Sequence, residues 1–286
     1  MMSNIFEMER KIDIAWCPGC GNFMIRKTLI ETLKNLGLTP EQVVICSGIG
    51  QAAKMPQYIN CNYFNGLHGR SLPVATAVKA VNPKLTVIAE SGDGCTYGEG
   101  GNHFLHTIRR NPDITNIVHN NMVYGLTKGQ GSPTTMKGVK TTVQVNGYFI
   151  EPFDPIGTAL SNGAGFVARV CTTDTEKSAE VLKQAIEYSG YALIDFLHPC
   201  VTFNKHNNIA WYKENTYWLD NHDESDIEKA FSISRDKQKL ALGILYKKDM
   251  TVFRKKDNFY TDDNDIALTE RKRDVAKLNN LIDSFR

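Results

Sequence analysis

The sequence predicts an α/β fold: a doubly wound, mostly parallel sheet followed by a charged C-terminal extension. Three observations lead there. Short, largely β-branched apolar runs recur at Val43 to Cys46, Leu85 to Ala89 and Ile114 to Val118, each ending in small or polar residues. Segments with helical apolar spacing lie before and between them. A second strand, helix, strand series follows at Phe166 to Val170, Thr175 to Tyr188 and Tyr191 to Leu197. A helix between two strands carries the chain back to its starting edge, so the strands it joins run parallel.

The elements can be justified in order. Ile25, Leu29, Leu33 and Leu36 recur at helical spacing before Gly37, whose permissive backbone suits a helix C-terminus. The first strand run then enters Ser47-Gly48-Ile49-Gly50. A helix is expected at Leu72 to Val81, and the second run enters Ser91-Gly92-Asp93-Gly94. Asn102 to Arg110 reads as a helix closed by Asn111-Pro112, because the residue before proline avoids helical backbone. The third run enters His119-Asn120-Asn121. Residues 130–148, rich in Gly, Thr and Ser, read as a long loop beside the site. After Cys200 the pattern weakens, and Lys247 to Arg286 carries 18 charged residues in 40, which reads as a docking extension or frayed helix. The expected division is a binding domain over residues 1–210 and an extension over residues 211–286.

Composition narrows the function classes. The 286 residues hold 33 Lys+Arg against 31 Asp+Glu, a balance with no electrostatic footprint for nucleic acid. No apolar run approaches the roughly 18 to 20 residues that span a bilayer. Charges interrupt the first sixteen residues where an export signal needs an apolar stretch, so a cytoplasmic protein is expected. Seven cysteines, an odd number, argue against a disulfide framework and for reduced thiols, some holding a metal or cluster.

Two short motifs carry chemistry together that neither carries alone. Gly92-Asp93-Gly94 at one strand end is followed, after 25 intervening residues, by Asn120-Asn121 at another. By itself the first is an ordinary turn and the second an ordinary loop. At adjacent strand ends they place a carboxylate and an amide oxygen around one hard cation, while glycine lets backbone approach a phosphate. Magnesium takes about six oxygens and commonly uses one or two carboxylates plus ligand phosphates, so the pair reads as a magnesium diphosphate site. Cys17 and Cys20 form a CxxC whose spacing suits zinc, an iron-sulfur cluster or a redox dithiol.

With this spacing, GDG and NN resemble the diphosphate-binding motif of thiamine diphosphate enzymes. Longer stretches narrow the resemblance: WCPGCG at Trp16 to Gly21, SGIG at Ser47 to Gly50, GLHGRSLPVATAVK at Gly66 to Lys79, GGNHFLHTIRRNPDI at Gly100 to Ile114, YGLTKGQGSPTT at Tyr124 to Thr135, and HPCVTFN at His198 to Asn204. In this order they resemble the β subunit of 2-oxoacid:ferredoxin oxidoreductases over roughly residues 12 to 215. The resemblance implies a thiamine diphosphate-binding fold and oxidative decarboxylation of a 2-oxoacid. Coenzyme A takes the acyl group, electrons pass to ferredoxin, and an α subunit supplies the other half of the cofactor site. 2-Oxoglutarate is the favoured acid, with pyruvate and branched-chain acids as alternatives.

The resemblance also implies residues. Asp93, Asn121 and the Val123 carbonyl match the magnesium ligands. Ile49, Gly50, Gln51, Ala52, Gly94, Cys95, Gly125 and Leu126 match cofactor-lining positions, although relatives carry an acidic residue where this chain has Cys95. Lys54 and Lys128 match lysines that approach the substrate, and an ammonium can neutralise a 2-oxoacid carboxylate. His68 is a candidate proton carrier. Cys17, Cys20 and Cys200 match three ligands of a 4Fe-4S cluster. Relatives place the fourth cysteine directly after SGIG, where this chain has Gln51, an amide poorly suited to iron. Cys61 is the expected replacement, ahead of Cys46, which falls in a predicted strand. Two other classes stay open on the residues alone: a non-oxidative thiamine diphosphate decarboxylase or synthase, and a zinc-ribbon assembly subunit.

Overall fold

A computed structural model of the chain describes residues 4–236, 238–253, 260 and 266–286. Eight strands form one sheet: β1 (Val43–Ser47), β2 (Asn62–Asn65), β3 (Thr86–Gly92), β4 (Ile114–Asn120), β5 (Phe166–Cys171), β6 (Tyr191–Leu197), β7 (Thr216–Trp218) and β8 (Leu240–Lys247). Their spatial order is β2-β1-β3-β4-β6-β5-β8-β7. The first six are mutually parallel, as expected, while β8 runs antiparallel to β5 and carries β7 beside it.

Alternation along the strands divides the core in two. Val43, Ile45, Ile88 and Ile117 face one way and meet α1 (Asn22–Asn35) and α5 (Thr175–Glu187). On α1, Ile25, Leu29 and Leu33 are fully buried one turn apart, each burial contributing about 1.5 to 3 kcal/mol. Cys46, Val87, Ala89 and Val118 face the other way, toward α2 (Ser71–Val81), α3 (Gly101–Arg110) and α4 (Pro155–Ser161). Helix α3 stops at Asn111, which takes a left-handed φ of 55° before Pro112.

Helices α6 (Ile209–Asn215) and α7 (Ile227–Ser234) lie in the segment expected to be an extension. That expectation is corrected for residues 211–247. Through β7 and β8 they complete the main sheet, and Leu242 and Leu245 are buried in its core. Beyond them the charged stretch still packs on the body, with Val252, Tyr260 and Ala267 buried and Tyr260 donating to the Ala80 carbonyl at 2.6 Å; residues 254–259 and 261–265 lie outside the described residues, and a final helix at Val275–Asp283 has no buried residue. Among the described residues, no helix is long and apolar enough to cross a membrane.

The topology fixes where a ligand fits. From β1 the chain crosses to β2 on one side and then returns to β3 on the other, so the strand order reverses between β1 and β3. Ligands of open α/β sheets bind outside the strands' carboxyl ends at such a reversal. SGIG, GDG and NN all fall there.

Candidate active site

One cavity occupies the carboxyl ends of β1, β3 and β4, and it gathers most of the residues the sequence singles out. Ile49 to Ala52, Gly94, Cys95, Gly125 and Leu126 line it, together with Asp93, Asn121, Val123 and His68. Lys54 and Lys128 do not line it. Lys54 is half-buried on the 3-10 segment Ala52–Tyr58, and Lys128 is exposed, following the lining residue Thr127 with a left-handed φ of 74°.

The backbone around the cavity leaves room for a ligand where the motif predicts it. Gly50 has φ of 124° with open space where a Cβ would stand, so no other residue fits that turn without strain. Gly94 is required for a different reason: a Cβ there would come within 2.1 Å of the Tyr124 ring. Cys95, the departure from the acidic residue of relatives, keeps an acceptor's role. Its sulfur accepts the backbone N–H of Gly69 at 3.1 Å and of Ile49 at 3.4 Å, tying the SGIG turn to the Gly66–Arg70 loop.

Strand alternation explains why Asn120 and Asn121 do different work. Asn121 faces the cavity, its Oδ1 accepting the Val123 N–H at 3.1 Å. Asn120 points into the core, where its Nδ2 donates to Asp195 Oδ1 at 3.0 Å. Arg169 Nε donates to Asp195 Oδ2 at 2.8 Å, so a buried ion pair anchors the strand end. Met122, which follows Asn121, adopts a left-handed φ of 57°, strained for a side chain of its kind and held by Asn120 Oδ1, which accepts its N–H.

Asp93 is 2% exposed, and its Oδ2 accepts hydrogen bonds from Ser132 and Thr134, each at 2.5 Å. These hydroxyls come from the 130–148 loop, and spacing arguments missed them; the polar SPTT run was the available signal. Burial pushes the Asp93 carboxyl up to about 6, the two hydroxyls oppose that rise, and the nearby charge of Asp195 adds to it. A buried carboxylate whose charged neighbour is another carboxylate suits a divalent cation, and the oxygen donors Asp93, Asn121 and Val123 fit magnesium.

A second buried group went unread in the sequence. His119 Nδ1 lies 2.8 Å from Asn22 Oδ1 and Nε2 lies 2.7 Å from Glu90 Oε1. Since the Asn22 oxygen only accepts, Nδ1 carries the proton and Nε2 accepts from a protonated Glu90. Burial drives the two the same way, raising Glu90 well above the usual carboxyl range and lowering His119 to about 3. His119 stacks edge-on against His198, with ring centres 5.9 Å apart, and both line the cavity with Asn22.

The cysteines divide into two groups. Cys20, pushed up to about 11 mainly by burial, also feels the charges of Cys200 and Cys17. The Gly21 N–H donates to the Pro199 carbonyl at 3.4 Å, joining the CxxC to the end of β6. The Trp16 indole donates to the Gln51 carbonyl at 2.8 Å, so Gln51 does stand beside the set. Cys200 Sγ lies near Gly125 on the cavity wall. Among the described residues no three His, Cys, Asp or Glu converge on a single ion. Cys61, expected as the fourth ligand, is not brought to this set. It precedes Asn62, which pairs with Val44 near the amino end of β1, and it packs against the α1 side of the core. Cys46 is fully buried on the opposite face.

Comparisons with known proteins agree with this geometry. The family model described as thiamine pyrophosphate enzyme, C-terminal TPP binding domain, matches residues 45–196, and the one describing the C terminal of the pyruvate ferredoxin oxidoreductase beta subunit matches residues 200–262. A 2-oxoacid:ferredoxin oxidoreductase subunit beta of Saccharolobus solfataricus is 45% identical over 207 residues, 72% of this chain and 68% of that one. The chain belongs to the 2-oxoacid:ferredoxin oxidoreductase β-subunit family. Subunit beta of 2-oxoacid:ferredoxin oxidoreductase 2 of Aeropyrum pernix is 39% identical over 74% of this chain and 69% of its own length. A solved structure, 2-oxoglutarate:ferredoxin oxidoreductase from Magnetococcus marinus with 2-oxoglutarate, coenzyme A and succinyl-CoA bound, aligns with a TM-score of 0.85 and 30% identity over 93% of this chain and 95% of that one. The expected thiamine diphosphate-binding α/β fold, the family and the oxidoreductase class are thereby borne out. The zinc-ribbon and non-oxidative alternatives fall away.

Proposed function

We propose that this β subunit works with an α subunit to decarboxylate 2-oxoglutarate oxidatively, giving an acyl-CoA and passing electrons to ferredoxin in the cytoplasm. The single observation supporting this choice of acid is the near-complete overlap with the Magnetococcus enzyme, whose structure holds 2-oxoglutarate, coenzyme A and succinyl-CoA. Thiamine diphosphate, when bound, supplies the carbanion chemistry of decarboxylation.

The chain's own residues supply position and charge. Asp93, Asn121 and the Val123 carbonyl would hold magnesium against the diphosphate, with Gly50, Gly94 and Gly125 giving backbone access. Ser132 and Thr134 keep the Asp93 carboxylate oriented and favour its ionised form. Ile49 and Leu126, both partly exposed at the cavity mouth, exclude water from one side once the α subunit lies over the other. His68, whose Nδ1 lies 3.4 Å from Glu99 Oε2, is positioned to carry a proton at that mouth. Lys128, at the rim, would pair with the distal carboxylate of the acid, and Lys54 would add positive charge behind Gln51. Cys17, Cys20 and Cys200 would hold a 4Fe-4S cluster that takes electrons from the site toward ferredoxin.

The test is co-purification with the α subunit followed by coenzyme A-dependent reduction of a viologen dye. 2-Oxoglutarate should support the fastest reduction. Faster reduction with pyruvate, the acid in the description of the second family model, would move the assignment to that substrate.

A further inference from the structure

We propose that His198 is the fourth protein ligand of the iron-sulfur cluster, beside Cys17, Cys20 and Cys200. The inference rests on the iron-sulfur reading above and assigns the ligand that reading leaves open.

Three of the four candidates are poor. Gln51 presents a neutral amide, a weak donor to iron compared with thiolate or imidazole. Cys46 is fully buried among Leu72, Ala75 and Ala89 on the far face of β1. Cys61 lies level with the start of β1, about 13 Å of strand away from the end where SGIG begins. Bringing either thiol to the set means dismantling part of the sheet.

His198 lies beside the chain that carries the set. It follows the last residue of β6 and precedes Cys200 by two residues. Its ring lies against Gly21, the residue directly after Cys20: a Cβ on Gly21 would stand 2.6 Å from both the His198 Cβ and Nδ1. The chain on both sides of the cysteine set therefore touches this imidazole. Gly21 is itself explained by the contact, since any side chain would displace the ring.

The second observation concerns what the ring lacks. His198 is 1% exposed, yet neither Nδ1 nor Nε2 makes a hydrogen bond that meets distance and angle limits, and the one polar influence at the ring is the adjoining Pro199 main chain, which favours the charged form. A buried imidazole without partners is costly and rare, and a bound ion is one of the few arrangements that accounts for it. It shares the cavity wall with Gln51, whose Oε1 is also buried and unpartnered. Iron accepts neutral imidazole in place of thiolate, as in clusters where histidine raises the potential. A glutamine at position 51 and a buried, unpartnered histidine at position 198 then fit together, the imidazole supplying the donor that the amide does not.

The experiment uses the full-length chain, purified anaerobically and reconstituted with iron and sulfide, then reduced with dithionite. Iron and labile sulfide are counted, and pulsed EPR is recorded on natural-abundance and 15N-histidine-labelled protein. About four irons per chain are expected, with a strong nitrogen coupling that changes isotope with the label. His198→Ala should remove that coupling, while His198→Cys should restore iron content without it. A four-iron cluster whose spectrum ignores the label overturns the proposal even if His198→Ala fails to fold. So does a coupling that persists in His198→Ala, or a cluster lost in Gln51→Ala but kept in His198→Ala. Wild-type protein that binds no iron would instead overturn the iron-sulfur reading itself.

Discussion

Thr134 holds Asp93. Its hydroxyl lies 2.5 Å from the Asp93 Oδ2 across 41 residues of chain, and the same oxygen is 2.9 Å from Asn120 Oδ1. One hydroxyl has one proton, and the carboxylate takes it as the stronger acceptor. Thr134→Val keeps the shape and removes the donor. A buried carboxylate that loses one of two hydroxyl partners should cost about 1 to 3 kcal/mol in whatever depends on its ionised form. Calorimetric titration with thiamine diphosphate and magnesium should therefore show affinity lower by about 5- to 150-fold, with the fold retained by circular dichroism. Unchanged affinity would mean Asp93 does not carry the metal.

Asp93→Ala goes further, since it removes the anionic donor of the proposed magnesium set. The assembled complex should lose its bound thiamine diphosphate. A variant that retains cofactor at wild-type stoichiometry after desalting would remove the metal assignment.

Lys128→Met tests charge at the rim rather than within the cavity. The exposed side chain has no share in the core, so stability and cofactor content should hold. The Michaelis constant for the 2-oxoacid should rise with little change in kcat, the pattern of lost ground-state binding. Loss of thiamine instead would assign Lys128 to cofactor retention.

Much of this fold was legible because five of the six parallel strands are largely apolar on both faces, and such runs announce themselves. β2 escaped notice since Asn62-Tyr63-Phe64-Asn65 is an exposed edge strand, polar at both ends. β8 was hidden by its position in a charged segment, though Leu240 to Tyr246 is as apolar as β1. In the site, motif spacing found the residues on strand ends, whose placement the sheet dictates. Ser132 and Thr134 lie on a loop, where spacing carries no geometry. The Glu90-His119 pair and His198 needed the sheet register itself, because only pairing brings Glu90 of β3 beside the residues of β4.

The buried pair Arg169 and Asp195 supports the asparagine strand end from below. Asp195 accepts from Arg169, Asn120 and Tyr97, so removing the guanidinium leaves a charge buried without its partner. Arg169→Met should destabilise the chain by about 3 to 5 kcal/mol, seen as a lowered urea midpoint. Adding Asp195→Asn should recover part of that loss, because the stranded charge is gone. No recovery would place the effect of Arg169 in packing.

Thiol chemistry separates the two cysteine groups without any iron. In the metal-free native chain near pH 8, the exposed Cys17 should react fastest with an alkylating reagent. Burial pushes both Cys46 and Cys61 up to about 12, leaving almost no thiolate at that pH, and Cys46 is closed to the reagent as well. They should stay unlabelled until the chain unfolds. Reconstitution with iron and sulfide should then protect Cys17, Cys20 and Cys200 together while changing nothing at Cys61, as read by mass spectrometry of the digested protein. Labelling of Cys61 at the rate of Cys17, with protection on reconstitution, would return it to the ligand set and show that the edge of the sheet opens to deliver it.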